Sequence, residues 1–495
     1  MRQLTSVDAQ FLVAEDGKVH GHVTGLAIYD CSDRPSGTLT REDVRDVITS
    51  RIHLVPPFRW RLVKVPFDID LPYWVDDPEF DLDDHIYGHT LPAPGDERAL
   101  AKLVSQIAAQ PLDLAHPPWA IHVIDGLADG RVAVATKYHH AAIDGMGGAE
   151  LFAILHDPTP DGRHIEATPL PRERMPRAPE MLVRGLAGLP RQPVRLLRGA
   201  PRALPHLDQV VTLRALPGVA RVAALARGAG HIGRDGNVVQ DVRVSAPRTK
   251  STGMISARRS VAFSSTSLDE VKAIKNHFGV TVNDVVMTIV AGGLRSWLAN
   301  QDDLPTKPLA AMVPVSIQAP EKPGAFGNRI VMMIPPLFTN EPDPARRLEL
   351  THDAMRSLKE RHRAVPATLL QDANHFIPPV LLARAARVSA LVGARYSRDA
   401  GANLIVSNIP GARDVQYLAG ARLEAHYPLS AIFHGMGLNI TVVSYREQVD
   451  WGVVCDPEQT GDAQPLIDAL RAAQAELHAL VRRSAKTTRM SGVGA

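Results

Sequence analysis

The chain is poor in cysteine. Its 495 residues include two, Cys31 and Cys455. They lie far apart and outside any CxxC spacing, which excludes a disulfide framework or a redox pair and fits a reducing compartment. Long apolar runs are also missing. A spanning helix takes about 18 uninterrupted apolar residues, and the nearest approach, PPVLLARAARVSALVGARY, is broken by Arg384, Arg387 and Arg395. The N-terminus, MRQLTSVDAQFLVAEDG, has no apolar h-region, so no secretory signal is expected. Neither charge sign dominates: 55 basic residues face 53 acidic ones, a net +2, and nothing global points to nucleic acid. The expectation is a cytoplasmic protein, soluble or peripherally bound, and not integral to a membrane.

What is present suggests more than one core, because 495 residues exceed one ordinary domain. Residues 1–160 mix strand and helix signals. WAIHVIDGL and RVAVATKYHH are β-type runs around the turn Ala128-Asp129-Gly130, a hairpin that delivers two histidines. Residues 161–250 are rich in proline and carry eleven arginines from Arg172 to Arg227 among Leu, Val and Ala. They read as a linker with amphipathic helices, either a solvated crossover or a surface for anionic lipid. Residues 251–485 form a second folded region. Ser267 and Glu270 make a capping box for one helix, which Gly279 ends, and a second helix starts near Asn283 and Asp284 and runs to Asn300. Strand-like runs follow, then a helix with Leu466, Leu470, Leu477 and Leu480 at helical spacing. Residues 486–495 read as a disordered tail.

The stretch YHHAAIDG, Tyr138 to Gly145, carries the chemistry. Adjacent histidines on a strand point to opposite faces, so they do not share one metal ion without a kink, and zinc usually takes three or four ligands. No second cluster of ligands is evident. By parity His140 shares a face with Val132, Val134 and Tyr138, and His139 with Ala133 and Ala135. A lone histidine on an apolar strand is ordinarily a core residue. Here the strand ends in a short loop and Asp-Gly, which suits a cleft. A neutral imidazole near pH 7 can take a proton from a hydroxyl. Two roles are open to Asp144: acting on the histidine, or pairing with an arginine to fix the loop. Gly145 removes a Cβ where backbone comes close. There is no GxSxG elbow and no convincing cysteine nucleophile, so direct transfer to an acceptor is favoured over a covalent acyl-enzyme.

HHAAIDG resembles the HHxxxDG motif of the CoA-dependent acyltransferase superfamily. LTSVDAQFL, WVDDPEFDLDDHI, LDLAHPPWAIHVIDGL, TVNDVVMTIVAGGLR, Pro314-Val315-Ser316 with Gly327-Asn328-Arg329, and SNIPG at 407–411 are similar, in order, to blocks of the bacterial wax ester synthase/diacylglycerol acyltransferase family. Two departures stand out: Pro118 precedes Trp119 where the family has leucine, and Ala412 stands where it often has proline. Residues 161–250 have no clear counterpart.

The resemblance implies an α/β protein of two chloramphenicol-acetyltransferase-like domains. Mixed sheets would carry flanking helices, with an active-site channel between the domains. LTSVDAQFL would be an N-terminal strand. His140 would be the base and His139 would help to hold the site. Asp144 would pair with an arginine of the N-terminal region, for which Arg61 is the candidate. Asn283 either caps its helix or, with Asp284, supports the channel. Ser407 or Asn408 either serves the Pro-Gly turn or donates to the developing oxyanion, and Trp119 packs in the core. The implied activity is transfer of a long-chain acyl group from acyl-CoA, a co-substrate, to diacylglycerol, with no metal or other cofactor. Rivals are wax ester synthesis on long-chain alcohols, acylation of a polyketide-derived lipid from a carrier protein, and an inactive protein coating lipid inclusions. The partners implied are acyl-CoA, the lipid acceptor, and the inner membrane face or an inclusion surface.

Overall fold

The structure, a computed structural model, describes residues 1–143, 145–166, 168, 174–188, 225, 246–316, 330–363 and 401–492. The first half runs β1 (Arg2–Gln3), α1 (Ser6–Ala14), β2 (His22–Asp30), α2 (Arg41–Arg51), β3 (Trp60–Val63), β4 (Tyr73–Asp76), β5 (Ile86–Thr90), α3 (Glu97–Ala109), β6 (Trp119–Asp125), β7 (Val132–His139), α4 (Gly145–Leu155) and α5 (Ala178–Gly188). The second half runs β8 (Ser260–Ser267), α6 (Leu268–Phe278), α7 (Val282–Ala299), β9 (Leu309–Ser316), β10 (Ile330–Met333), β11 (Pro336–Leu337), α8 (Pro344–Arg363), β12 (Leu404–Pro410), β13 (Tyr417–Leu418), β14 (Ala421–Leu429), β15 (Leu438–Tyr445), β16 (Gln448–Cys455) and α9 (Gln464–Gly492).

A six-stranded sheet in the order β13-β14-β2-β7-β6-β5 carries the histidine hairpin near its centre. Strand β7 pairs antiparallel with both β2 and β6. Its alternation sorts side chains as the sequence implies. Val132 and Val134 enter a core with α2 and α4, with Tyr138 packed against it. Ala133 and Ala135 enter the opposite core, with α3 and the second half. Strands β13 and β14 come from the C-terminal half and complete this sheet. The reason is packing: Leu423 and Ala425 of β14 are buried beside β2, which would otherwise be an edge.

The second large sheet has the order β10-β9-β12-β15-β16-β8, with β11 on β9. Helix α7 is buried along most of its length, and with α6, α8 and α9 it covers one face of this sheet. Among the described residues no single helix is long and apolar enough to cross a membrane.

Four local expectations change. LTSVDAQFL forms helix α1, not a strand, because Thr5 accepts the Asp8 N–H at 3.2 Å and starts a turn. Ser267 caps α6 through the Glu270 N–H, but the Glu270 carboxylate bonds Gln474 instead of closing the box. Gly279 ends α6 at φ 69°, as expected. Helix α7 is capped by Thr281 in a full capping box with Asp284, so Asn283 is not its cap. Helix α9 continues to Gly492, past the boundary at 485, because Ala485, Lys486, Arg489 and Met490 are helix formers with no proline among them. Most of 161–250, Asp144, Gly327 to Arg329 and the apolar run from Pro378 lie outside the described residues.

Candidate active site

Strand β7 ends at His139. The His139 N–H donates to Pro118 O at 2.9 Å and the His140 N–H to Gly21 O at 2.8 Å. Ala142 and Ile143 then fold back on His139 O at 3.0 and 3.2 Å. This turn takes His140 off the strand. His139 is fully buried, whereas His140 is half-buried and so reachable.

His139 is fixed in one tautomer. Its Nδ1 accepts the Ala141 N–H at 3.1 Å, so Nε2 carries the proton and faces Glu15 Oε1 at 3.2 Å. The same Glu15 oxygen accepts the Gly21 N–H at 2.8 Å. Burial alone would raise the Glu15 pKa. The bonds from His139 and Gly21 outweigh it and hold the carboxyl below its ordinary range.

The His140 ring lies parallel to Phe11 of α1, centroids 4.2 Å apart and planes 7° apart. Phe11 in turn meets Phe433, from the loop between β14 and β15, at 6.4 Å and 53°. The His140 region therefore sits where the two halves meet. Gly145 opens α4. Arg61, expected to pair with Asp144, has Nη1 3.9 Å from Asp77 and also from Glu79. Asp144 lies outside the described residues. Trp119 packs in the core as expected, stacked on Phe58 at 4.0 Å with Nε1 donating to Phe58 O.

From the second half, Asn283 and Asn408 come together, Asn408 Nδ2 lying 3.5 Å from Asn283 Oδ1. Asp284 is buried and accepts from Thr281 N–H at 3.0 Å and His352 Nδ1 at 2.8 Å. Ser407 and Asn408 do not share a face. Val406 enters the helix-covered core, and Asn408, two residues on, follows it. Ser407 pairs with Thr441 of β15 and shares its face. Thr441 Oγ1 meets Ser430 Oγ at 3.1 Å and Asn439 Oδ1 at 2.7 Å. That polar face leads through Ser430 into the Phe433 loop. Of the two residues, Ser407 is on the face of the sheet away from the helices.

Sequence reasoning missed Phe11, Glu15, Gly21 and His352. Adjacent carboxylates Glu15 and Asp16, directly after the apolar FLVA, were a usable signal, since buried charge needs partners. Phe11 and Gly21 carried none. Both cysteines are buried; burial pushes Cys31 upward and Cys455 to about 12, the wrong direction for a thiolate nucleophile. Among the described residues no group of three or more His, Cys, Asp or Glu is arranged to hold a metal.

Known proteins match this chain in sequence and fold. The model of the wax ester synthase/diacylglycerol acyltransferase catalytic domain matches residues 4–286, and that of the WS/DGAT C-terminal domain matches residues 326–478. A Mycobacterium tuberculosis H37Rv protein, provisionally named a diacylglycerol O-acyltransferase, is 32% identical over 99% of this chain and 100% of its own. The O-acyltransferase WSD of Acinetobacter baylyi is 31% identical over 92% of each. A solved wax ester synthase/diacylglycerol acyltransferase from Marinobacter aquaeolei VT8 superposes with TM-score 0.69 at 26% identity, over 97% of this chain and 100% of that one. A condensation domain of rhizomide synthetase, TM-score 0.54 at 12% identity, shares the fold.

Proposed function

The chain belongs to the wax ester synthase/diacylglycerol acyltransferase family and is an O-acyltransferase, and from that premise we propose that His140 is its general base, acting on a diacylglycerol hydroxyl. The acyl donor is a long-chain acyl-CoA. The observation that carries this reading is the half-buried ring of His140, off the end of β7, where the two halves meet.

In the forward step a ring nitrogen of His140 takes the hydroxyl proton as the oxygen attacks the thioester carbon. The carbonyl becomes an oxyanion, for which Ser407 is the donor on the correct face of the second sheet. Collapse breaks the C–S bond and leaves the new C–O ester. The CoA sulfur takes the proton back from imidazolium, so the base is regenerated within one turnover. His139, held by Glu15 and by the Ala141 N–H, orients the backbone that carries His140. Asn283 and Asp284 set the start of α7 beside β12.

A long-chain alcohol is the second acceptor, because the same base deprotonates either hydroxyl and the Marinobacter protein with the matching fold is named for both. The lipid substrates place the enzyme at a membrane or inclusion surface. Phe67, Val183 and Leu186, 84%, 66% and 50% exposed, support this reading. The test is release of CoA from labelled palmitoyl-CoA with diolein or hexadecanol as acceptor. The wild type releases CoA in an acceptor-dependent manner and His140→Ala does not. Equal rates for the two proteins would end the base assignment.

A further inference from the structure

Helix α1 ends on two consecutive carboxylates, and they point to different halves of the molecule. Glu15 meets His139 of β7. Asp16 Oδ2 meets His434 Nε2 at 2.8 Å, across 418 residues of chain. His434 is set as His139 is: its Nδ1 accepts a backbone N–H, from Ile255 at 3.0 Å, which leaves the Nε2 proton for Asp16. The loop carrying His434 is itself tied down. Gly435 N–H donates to Gly253 O at 2.9 Å, Gly437 N–H to Ser251 O at 2.8 Å, and Asn439 Nδ2 to Ala431 O at 3.0 Å. One turn back along α1, Phe11 lies flat on His140 and meets Phe433 of the same loop.

We infer that α1 and the two carboxylates after it form a positioning element for His140: Phe11 sets the plane of the imidazole, and the Glu15–His139 and Asp16–His434 pairs hold Phe11 in place from both halves. This rests on His140 being the base. The physical need is plain. The imidazole torsion about Cβ–Cγ is broad and roughly two-fold, and His140 stands on a turn, outside the strand ladder. A base works only within about 2.6–3.2 Å of the proton it takes. Rotation of the ring by a few tens of degrees moves its nitrogens by about an ångström, and misplacement on that scale can cost on the order of 10²-fold in rate. A parallel aromatic face at 4.2 Å restricts that rotation. Phe11 is thus a positioning residue, acting through His140.

Variants at Phe11, Asp16 and His434, made in the whole chain, test this with palmitoyl-CoA and diolein. Phe11→Leu keeps apolar volume and loses the plane; kcat falls roughly 10-fold or more while KM for palmitoyl-CoA and the melting temperature stay near wild type. Phe11→Tyr restores the plane and recovers most of that loss. Asp16→Ala and His434→Ala each lower kcat, and the double variant is no worse than the poorer single one, as expected when two residues form one contact. The inference is overturned if Phe11→Leu matches wild type in kcat, if Phe11→Leu and Phe11→Tyr lose kcat equally, or if the Asp16 and His434 effects multiply. His140→Ala, assayed alongside, separates the two levels. Loss of activity there with a wild-type Phe11→Leu rejects the positioning role alone, whereas an active His140→Ala rejects the base.

Discussion

Glu15 Oε1 lies 3.2 Å from His139 Nε2, joining the end of the first helix to the strand that presents the candidate base. Because the Glu15 carboxyl titrates below its ordinary value, its ionised form favours the folded state. That stabilisation is present above the unfolded pKa and is lost as pH falls through the lowered folded value. Glu15→Ala removes the acceptor and leaves the His139 and Gly21 donors buried. The expected cost is about 1–3 kcal/mol of stability near neutral pH, with a smaller difference from wild type as acid protonates Glu15. Urea melts at pH 7 and pH 4 read this directly. An equal difference at both would mean that the charge of Glu15 does not contribute.

Gly21 is confined by what surrounds it. A Cβ there would lie 2.9 Å from His139 Nε2, 3.0 Å from His139 Cε1 and 3.1 Å from Phe11 O. Relief requires movement of the very ring that Glu15 holds. Gly21→Ala is therefore expected to cost about 1–3 kcal/mol by overpacking and to lower kcat. Thermal melting and the acyl transfer assay check both, and a variant with wild-type values in each would show that the site can relax freely.

These contacts show what the sequence could and could not disclose. The alternation of Val132 to His139, the turn at Gly130 and the apolar spacing of α7 and α9 were readable because each follows from local periodicity. The first segment was misread as a strand because its helix rests on a single cap, Thr5, inside a short run. Asn283 was a plausible cap by residue type, but Thr281 two residues earlier makes the bond. Contacts such as Phe11 with His140 or Asp16 with His434 depend on where distant segments meet, and no spacing within either segment encodes that. Strand β14 crossing into the first sheet is of the same kind.

Asp450 of β16 is fully buried, and burial raises its pKa to about 7 against the bonds it receives from Ser265 Oγ at 2.6 Å and His426 N–H at 2.8 Å. Tyr427 OH stands 3.1 Å from the same Ser265 oxygen. The folded protein keeps a proton that the unfolded chain releases near pH 4. Stability therefore falls as pH rises from about 4 to about 7, by roughly 1.4 kcal/mol for each unit between the two values. Asp450→Asn cannot ionise and can still accept from His426 N–H. Its melting temperature relative to wild type is expected to be highest at pH 8, lower at pH 5 and lowest at about pH 4, where both states of the wild type approach full protonation. Parallel lowering at all three pH values would show that Asp450 is ionised throughout.

Helix α5 places Met181 and Gly185 against the first half while Val183 and Leu186 face outward. Its neighbour is the segment Val65 to Ile69, whose side chains approach Gly185 and whose Phe67 is 84% exposed. Single exposed apolar residues are ordinary, but three on adjoining segments suit insertion into a lipid surface. Replacing Phe67, Val183 and Leu186 together with Asp should abolish co-flotation with phosphatidylglycerol vesicles and lower acylation of vesicle-borne diolein about 10-fold, a loss of roughly 1.4 kcal/mol in effective binding. Turnover of a water-soluble short-chain alcohol should persist. Undiminished flotation would place the lipid contact elsewhere.

Strand parity puts Ser407 and Asn408 on different faces of β12. Ser407 shares the face of Thr441, which leads through Ser430 to the Phe433 loop, whereas Asn408 turns toward Asn283 at the start of α7. A donor to the oxyanion acts only as charge develops, so its loss appears in kcat. Ser407→Ala is expected to lower kcat about 10²-fold with little change in melting temperature. Asn408→Ala breaks a long, neutral hydrogen bond and should cost about 1 kcal/mol of stability with kcat reduced far less. The comparison controls for general disturbance of β12, because the residues are neighbours on one strand. If the larger kcat loss falls on Asn408, the oxyanion donor lies on the helix side of the sheet, and the path from Thr441 to His140 has no part in the chemistry.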